Sequence, residues 1–297
     1  MTNKLRTASL FMALFMAAGL LASCAGAKKT SGKPIVFVSI PPQKFFVDRI
    51  AAGRVETQVL IAPGQSPHTY TPTPKQLAQL SQADLFFTIG IPFEDAVIKK
   101  IRGQNRNLKI VDMGNGVKRG QAPAHGQEHE MGHTSEMDAH IWLDPANALA
   151  MARNTADMLS EIDPDNKAQY QKNKDALNAE LEALDKILSD TLTPFKGQRF
   201  YVFHPAFGYF ARAYGLEQAA VETGGKEPTA RALDALIRQA RRDNVRVIFV
   251  QPQFSRKSAE RVAREIGGAV VPIDPLAEEY IGNMQNLAEK IKQSMQH

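Results

Sequence analysis

The chain has 297 residues, of which 43% are hydrophobic and 23% charged, and its formal net charge is +5. This composition is typical of a globular protein with a sizeable core, and it excludes a disordered chain, a collagen and a disulfide-rich scaffold. Nucleic-acid binding is not expected, because the basic residues alternate with acidic and apolar ones, as they do on solvated helix faces.

Residues 1–23 have the pattern of a signal peptide. Lys4 and Arg6 precede a charge-free stretch whose strongly apolar part is residues 10–21, which is too short for a membrane-spanning helix of about 20 residues. The run ending at Cys24 resembles a bacterial lipoprotein processing box, so lipid on Cys24 is expected to anchor the protein outside the inner membrane through a tether, residues 24–33. Cys24 is the only cysteine, which leaves no thiol for a disulfide, a zinc-thiolate site or a nucleophile.

Residues 34–144 are predicted to form an α/β lobe. Apolar or β-rich runs predict strands at 35–40, 55–61, 85–89 and 108–111, and the segments between them, such as 74–80, have apolar residues at helix spacing. This alternation is typical of a mainly parallel sheet flanked by helices. It stops at residues 115–137, a polar loop that contains His125, His129 and His133 and can contribute little to a core.

A helical region, residues 145–192, is expected to connect this lobe to the rest of the chain. Asp144 and Pro145 supply a helix N-cap and a first-turn proline. Helix-favouring sequence then continues to Leu192, with an interruption at Asp163-Pro164.

Residues 193–297 are predicted to form a second α/β lobe. Strands are expected at 199–203, 216–221, 245–250 and 269–273, with helices around 231–241 and 258–265. No sequence repeat is detectable, although both lobes have the same strand-helix rhythm. The predicted fold is therefore α/β, with two similar lobes joined by a long backbone helix and a cleft between them.

Four widely spaced polar residues are candidates for a binding site in that cleft. His68, His204 and Asp274 follow predicted strands, and ligands of open α/β sheets bind outside the carboxyl ends of strands. His140 has no clear strand before it. Three imidazoles and one carboxylate suit a tetrahedral Zn²⁺, and four protein ligands would leave no open position for catalysis.

Each candidate also has an ordinary structural interpretation. His68 or His204 alone could be a hydrogen-bonded residue of a loop or cleft. Asp274, which precedes Pro275, fits the N-cap of a following helix. These alternatives stay open on the spacing alone.

Enzyme motifs are missing or incomplete. The chain has no His-Glu-x-x-His, and residues 64–68 lack the final glycine of a nucleophile elbow. Residues 223–227 contain a Gly-Gly-Lys, but Glu227 follows the lysine where a phosphate-binding loop needs Ser or Thr. The chain is therefore not expected to be an enzyme.

Longer motifs resemble the zinc and manganese solute-binding lipoproteins of ABC transporters, in that family's order from about residue 34 to the C-terminus. The motifs are residues 63–74 around His68, 138–145 around His140, 203–210 around His204, 225–229, 247–255 and 274–276. The resemblance implies an extracytoplasmic receptor with two α/β lobes, a backbone helix and one metal ion buried at the interface.

The resemblance also implies the ligands and the metal. His68, His140 and His204 match the family's histidine ligands, and Asp274 matches its fourth ligand position, although some zinc members use water or another carboxylate. Manganese members usually have a glutamate at the third histidine position, so His204 favours zinc, in line with the preference of nitrogen-rich sites. Manganese or iron is the alternative.

The expected function is capture of Zn²⁺ and its delivery to an ABC transporter permease by a monomeric receptor. His125, His129 and His133 resemble the histidine-rich loop of zinc members and would assist metal capture, or else form a solvated linker. Zinc affinity is expected to fall below about pH 6.5, where free imidazoles gain protons. A surface adhesin and a metal-dependent hydrolase are the other classes considered; the hydrolase would need an open metal position and a general base, which the sequence does not offer.

Overall fold

The computed structural model of the chain describes residues 32–120, 137–222, 229–254 and 256–296. Its first lobe contains a four-stranded sheet, with strands β1 Ile35–Val38, β2 Glu56–Val59, β3 Leu85–Thr88 and β4 Lys109–Asp112. The strands lie in the order β2-β1-β3-β4 and pair in parallel. Each overlaps a segment that the apolar or β-rich sequence runs predict. The central strands β1 and β3 are largely buried and have the near-continuous apolar sequence typical of buried parallel strands.

The second lobe has the same arrangement, although no sequence repeat is detectable between the two lobes. Its strands are β5 Arg199–Val202, β6 Glu217–Ala220, β7 Val247–Val250 and β8 Ala269–Pro272. They are parallel and lie in the order β6-β5-β7-β8, which is the order of the first sheet. The predicted fold class is confirmed, and the shared rhythm of the two halves corresponds to a shared topology.

Helices cover the sheets and connect the lobes. They are α1 Pro41–Ala51, α2 Pro74–Leu80, α3 Phe93–Ile101, α4 Pro145–Ile162, α5 Lys167–Leu192, α6 Gly208–Ala213, α7 Ala230–Arg242, α8 Arg256–Ile266 and α9 Tyr280–Met295. The α9 helix was not predicted from the sequence. Among the described residues, none of the helices has the length and apolar character needed to cross a bilayer.

The connection between the lobes consists of α4 and the 26-residue α5, separated by a short turn at Pro164–Asn166. Asp144 caps α4 as predicted, since its Oδ1 accepts a hydrogen bond of 2.9 Å from the Ala146 amide. The two helices pack against each other, and α5 also packs against α1 of the first lobe and α9 of the second. The connector therefore supports both lobes.

A single apolar cluster extends through both lobes and the connector. Trp142 makes two interlobe hydrogen bonds within it: its Nε1–H donates to the Pro275 carbonyl at 2.7 Å, and its own carbonyl accepts from the Tyr280 hydroxyl at 2.6 Å. The far face of each sheet packs against its own helices in a separate cluster. The lobes are thus joined firmly on the side of the connector, and the carboxyl ends of their strands reach the candidate site.

Candidate metal centre

Three of the predicted ligands converge at one point. His68, His140 and His204 each present a ring nitrogen, and these nitrogens all lie within 4.8 Å of one another. The Nε2 atoms of His68 and His204 are 3.1 Å apart. Zn–N bonds of 2.0–2.1 Å in a tetrahedral site place two ligand nitrogens about 3.3 Å apart, so this pair already has nearly the spacing that Zn²⁺ requires.

His204 is held at the carboxyl end of the second sheet. It follows β5 by two residues and is 5% exposed. Its amide donates to Gln251 Oε1 at 3.1 Å, and Gln251 Nε2 donates back to its carbonyl at 2.7 Å. Phe254 stacks on its ring, with the centroids 4.8 Å apart. The ring therefore has one orientation and little freedom to leave it.

Buried carboxylates contact the Nδ1 atoms of two of the three histidines. Asp138 Oδ1 lies 2.8 Å from His140 Nδ1, and Glu222 Oε1 forms a short contact with His204 Nδ1. Both carboxylate side chains are 1% exposed. Because each carboxylate accepts a hydrogen bond from Nδ1–H, each Nε2 keeps its lone pair for a metal, which is the arrangement common to metal-binding histidines.

His68 has a different environment, in the exposed loop after β2. The residue as a whole is exposed, but its ring tip lies against the other two imidazoles, with its centroid 4.7 Å from that of His204. Its amide donates to Ser66 Oγ at 3.3 Å, a bond within the same loop. This ligand therefore depends on a surface loop rather than on a sheet.

Burial keeps two of the imidazoles neutral. Desolvation, followed by the proximity of His140, lowers the pKa of His204 to about 3. Desolvation, followed by the nearby His204 and His140 rings, lowers the pKa of His68 to about 4. Neutral imidazole is the form that binds a metal, so these two ligands need to lose no proton at neutral pH.

The histidines line a small cavity of about 40 Å³. Its wall also includes Trp142, Phe254 and Leu276, which are apolar apart from the indole N–H. Such a volume accommodates an ion with a water molecule or two. The apolar wall lowers the local dielectric and strengthens the interaction between a cation and its ligands.

The structure does not bring Asp274 into the group of three histidines. Its Oδ1 accepts hydrogen bonds from Gln253 Nε2 at 3.0 Å and from the Leu276 amide at 2.9 Å. The bond to Leu276 is the kind that a helix N-cap makes, but here it stabilises a turn, because the next helix begins at Tyr280 with Glu279 as its cap. Asp274 remains close to the cavity through Gln253, Pro275 and Leu276, which line it.

Asp138 and Glu222 were not predicted from the sequence to belong to the site. Glu222 follows β6 by two residues, as His204 follows β5, so the same strand-end rule would have identified it. Asp138 could have been identified by its position two residues before a candidate ligand. Cys24, His125, His129 and His133 lie outside the described residues.

Comparison with known proteins identifies relatives of the whole two-lobe region. Residues 36–294 match the family model described as zinc-uptake complex component A, periplasmic. The high-affinity zinc uptake system protein ZnuA of Bacillus subtilis is 32% identical over 274 residues, covering 86% of this chain and 85% of that protein.

Two further relatives extend the comparison. The zinc-binding lipoprotein AdcA of Streptococcus pneumoniae serotype 4 is 28% identical over 92% of this chain, but the match covers only 58% of AdcA. The chain thus spans little more than half the length of that relative. A solved structure of a ZnuA deletion mutant with zinc bound is 39% identical, with a TM-score of 0.82, and the match covers 89% of this chain and 98% of that one.

Proposed function

The chain belongs to the periplasmic zinc-uptake complex component A family, and we propose that it is an extracytoplasmic receptor that captures Zn²⁺ between its lobes and delivers it to an ABC transporter permease. The observation that carries this proposal is the convergence of three imidazoles within 4.8 Å, from two lobes and three separate segments. A histidine with a purely structural role would not need two further imidazoles beside its ring nitrogen.

The ligand chemistry supports zinc as the cargo. The three clustered ligands, His68, His140 and His204, are all imidazoles, and nitrogen-rich sets suit Zn²⁺ better than Mn²⁺, which prefers carboxylate, carbonyl and water oxygens. The two carboxylates at this centre contact the Nδ1 atoms of the rings and lie outside the group of atoms that could share an ion. Manganese is the alternative cargo.

Asp274 is the proposed fourth ligand. It follows β8 by two residues, at the edge of the sheet where a ligand is expected. To bind the ion, its carboxylate must approach the histidines and weaken its hydrogen bonds to Gln253 and Leu276. A closed set of four protein ligands would hold the ion without activating water, which favours transport over catalysis.

The rest of the functional scheme follows from the same proposal. Residues 1–23 would be removed, and lipid on Cys24 would anchor a monomer at the membrane through residues 24–33. The lobes would comprise residues 34–144 and 193–297, with 145–192 as the connector. His125, His129 and His133 would assist metal capture near the cleft.

Metal titration tests the proposal. The chain from Lys28 onward, which contains the compact unit Pro34–His297, is stripped with chelator and titrated separately with Zn²⁺ and Mn²⁺ by calorimetry. Trp142 is the only tryptophan, and its ring centroid lies 5.2 Å from that of His140, so its fluorescence gives a second signal from the site itself. One zinc ion is expected to bind per chain and to raise the melting temperature.

His204→Ala is expected to weaken zinc binding by on the order of 10²- to 10³-fold, whereas Asp274→Ala should weaken it less. Unchanged zinc affinity in Asp274→Ala would assign the fourth position to water. Tighter binding of Mn²⁺ than of Zn²⁺ would contradict the choice of cargo. If the wild type bound neither metal, the receptor proposal would fail and an adhesin function would replace it.

A further inference from the structure

Asp138 is a buried carboxylate that the proposed ligand set does not use. Its Oδ1 accepts two hydrogen bonds from His140, one from the amide at 3.0 Å and one from ring Nδ1 at 2.8 Å. Its Oδ2 is also buried, yet it has no hydrogen-bond partner in the described part of the chain. Half of this anion is therefore satisfied by one histidine and the other half is unsatisfied.

The backbone of Asp138 is fixed from both sides of the cleft. Its amide donates to the Gly120 carbonyl at 2.9 Å, and its carbonyl accepts from the Tyr209 hydroxyl of the second lobe at 3.1 Å. The same hydroxyl accepts from the Gly120 amide at 2.8 Å, and the Arg212 guanidinium lies 4.6 Å from the Tyr209 ring centroid. These bonds fix the backbone of Asp138, and rotating its side chain outward to hydrate Oδ2 would break both bonds of Oδ1 to His140.

A buried anion in this state has different energies in the empty and the metal-bound protein. Without a cation nearby, an unsatisfied buried oxygen destabilises the fold. A divalent cation on His140 Nε2 draws electron density from the ring, makes Nδ1–H a stronger donor and attracts the carboxylate directly. The Asp138 carboxylate therefore destabilises the metal-free protein and stabilises the metal-bound one.

We propose that Asp138 is a positioning residue that raises zinc affinity through His140 while lowering the stability of the metal-free protein. The inference rests on the proposed function, since it requires Zn²⁺ at His140. Glu222 makes the corresponding contact with His204 and extends the scheme to a second ligand. Neither carboxylate needs to touch the ion.

Asp138→Asn in the full chain separates the two effects. The asparagine keeps an oxygen that can accept from His140 but removes the buried charge. Zinc affinity, measured by competition with a chromophoric chelator, is expected to fall about 10- to 100-fold, the usual effect of removing such an outer partner. The melting temperature of the chelator-stripped variant is expected to equal or exceed that of the wild type.

Two further variants serve as comparisons. Asp138→Ala also removes the acceptor and should lose at least as much zinc affinity as the asparagine variant. Asp163→Asn makes the same chemical change at a partly buried carboxylate that contacts Tyr170 and Asn166 on the connector, and it should leave zinc affinity unchanged.

Zinc affinity of Asp138→Asn within twofold of the wild type would overturn the proposal. So would a fall in the metal-free melting temperature alongside the affinity, because Asp138 would then be a residue of general stability. Absence of zinc binding by the wild type in the same assay would instead reject the proposed function, so the two failures are distinguishable.

Discussion

His204 and His68 face each other across the metal centre, but the protein holds them in different ways. His204 is buried at a strand end, fixed by Gln251, stacked on Phe254 and backed by Glu222. His68 belongs to an exposed loop, and its amide bonds only within that loop, to Ser66. The two sheets have the same strand order, so this difference arises from the loops that follow the strands. One side of the site is therefore fixed by buried contacts, and the other side depends on a surface loop.

Replacing each of these two ligands by alanine should change zinc affinity by different amounts. His204→Ala should weaken zinc binding by on the order of 10²- to 10³-fold, since a structural zinc ion gains about 10–16 kcal/mol from its whole ligand set and one ligand contributes about a quarter. His68→Ala should cost less, because fixing an exposed loop consumes part of what its ligand contributes. Competition titrations of both variants give the ratio of their losses in zinc affinity.

The His68→Ala variant should also release zinc faster, with little change in its association rate, because the remaining ligands are already in place. Stopped-flow measurement of chelator-induced release through Trp142 fluorescence tests this. Equal affinity losses in the two variants would show that the structural difference between the ligands has no energetic consequence.

A smaller expected effect concerns pH. The pKa of His204 is lowered to about 3 and that of His68 to about 4, whereas imidazole in an unfolded chain has a pKa of about 6.5. Protons therefore compete with zinc at these two rings only near pH 4 and below. The sequence alone predicted that this competition would begin at about pH 6.5. If the empty cleft opened and hydrated both rings, their contribution to zinc affinity would already decline below pH 6.5.

The same shifts affect the stability of the metal-free protein. Between pH 6.5 and about 3, the unfolded chain binds a proton at residue 204 and the folded chain does not, so the free energy of unfolding falls as the pH falls. The contribution of the neutral His204 ring to the free energy of unfolding is fully present above pH 6.5. The wild type should lose more melting temperature between pH 7 and 4 than His204→Gln, which lacks this titration. Parallel decreases in the two proteins would contradict a buried, neutral His204.

Much of the fold was accessible from the sequence because it depends on local patterns. Apolar or β-rich runs predicted all eight strands that the described residues form, and Pro145 marked the first turn of α4, where proline is favoured. The strand order was not accessible, since it depends on packing between segments far apart in the sequence.

Only part of the candidate site could be predicted from the sequence, for the same reason. The strand-end rule and the family resemblance pointed to His68, His140 and His204, which the fold brings together. The contacts of Asp138 with His140 and of Glu222 with His204 depend on how each side chain is oriented within its own lobe, and sequence position could only have marked these residues as candidates. The position of Asp274, bonded to Gln253 and Leu276, depends likewise on a turn that the sequence favoured as a helix start.

Anomalous diffraction from crystals grown with one equivalent of Zn²⁺ would show whether the ion lies between the three histidines. Data collected on both sides of the zinc absorption edge locate the ion independently of the protein density. A single peak is expected about 2.0–2.1 Å from Nε2 of His68, His140 and His204. A peak elsewhere, with these three rings unligated, would contradict this expectation.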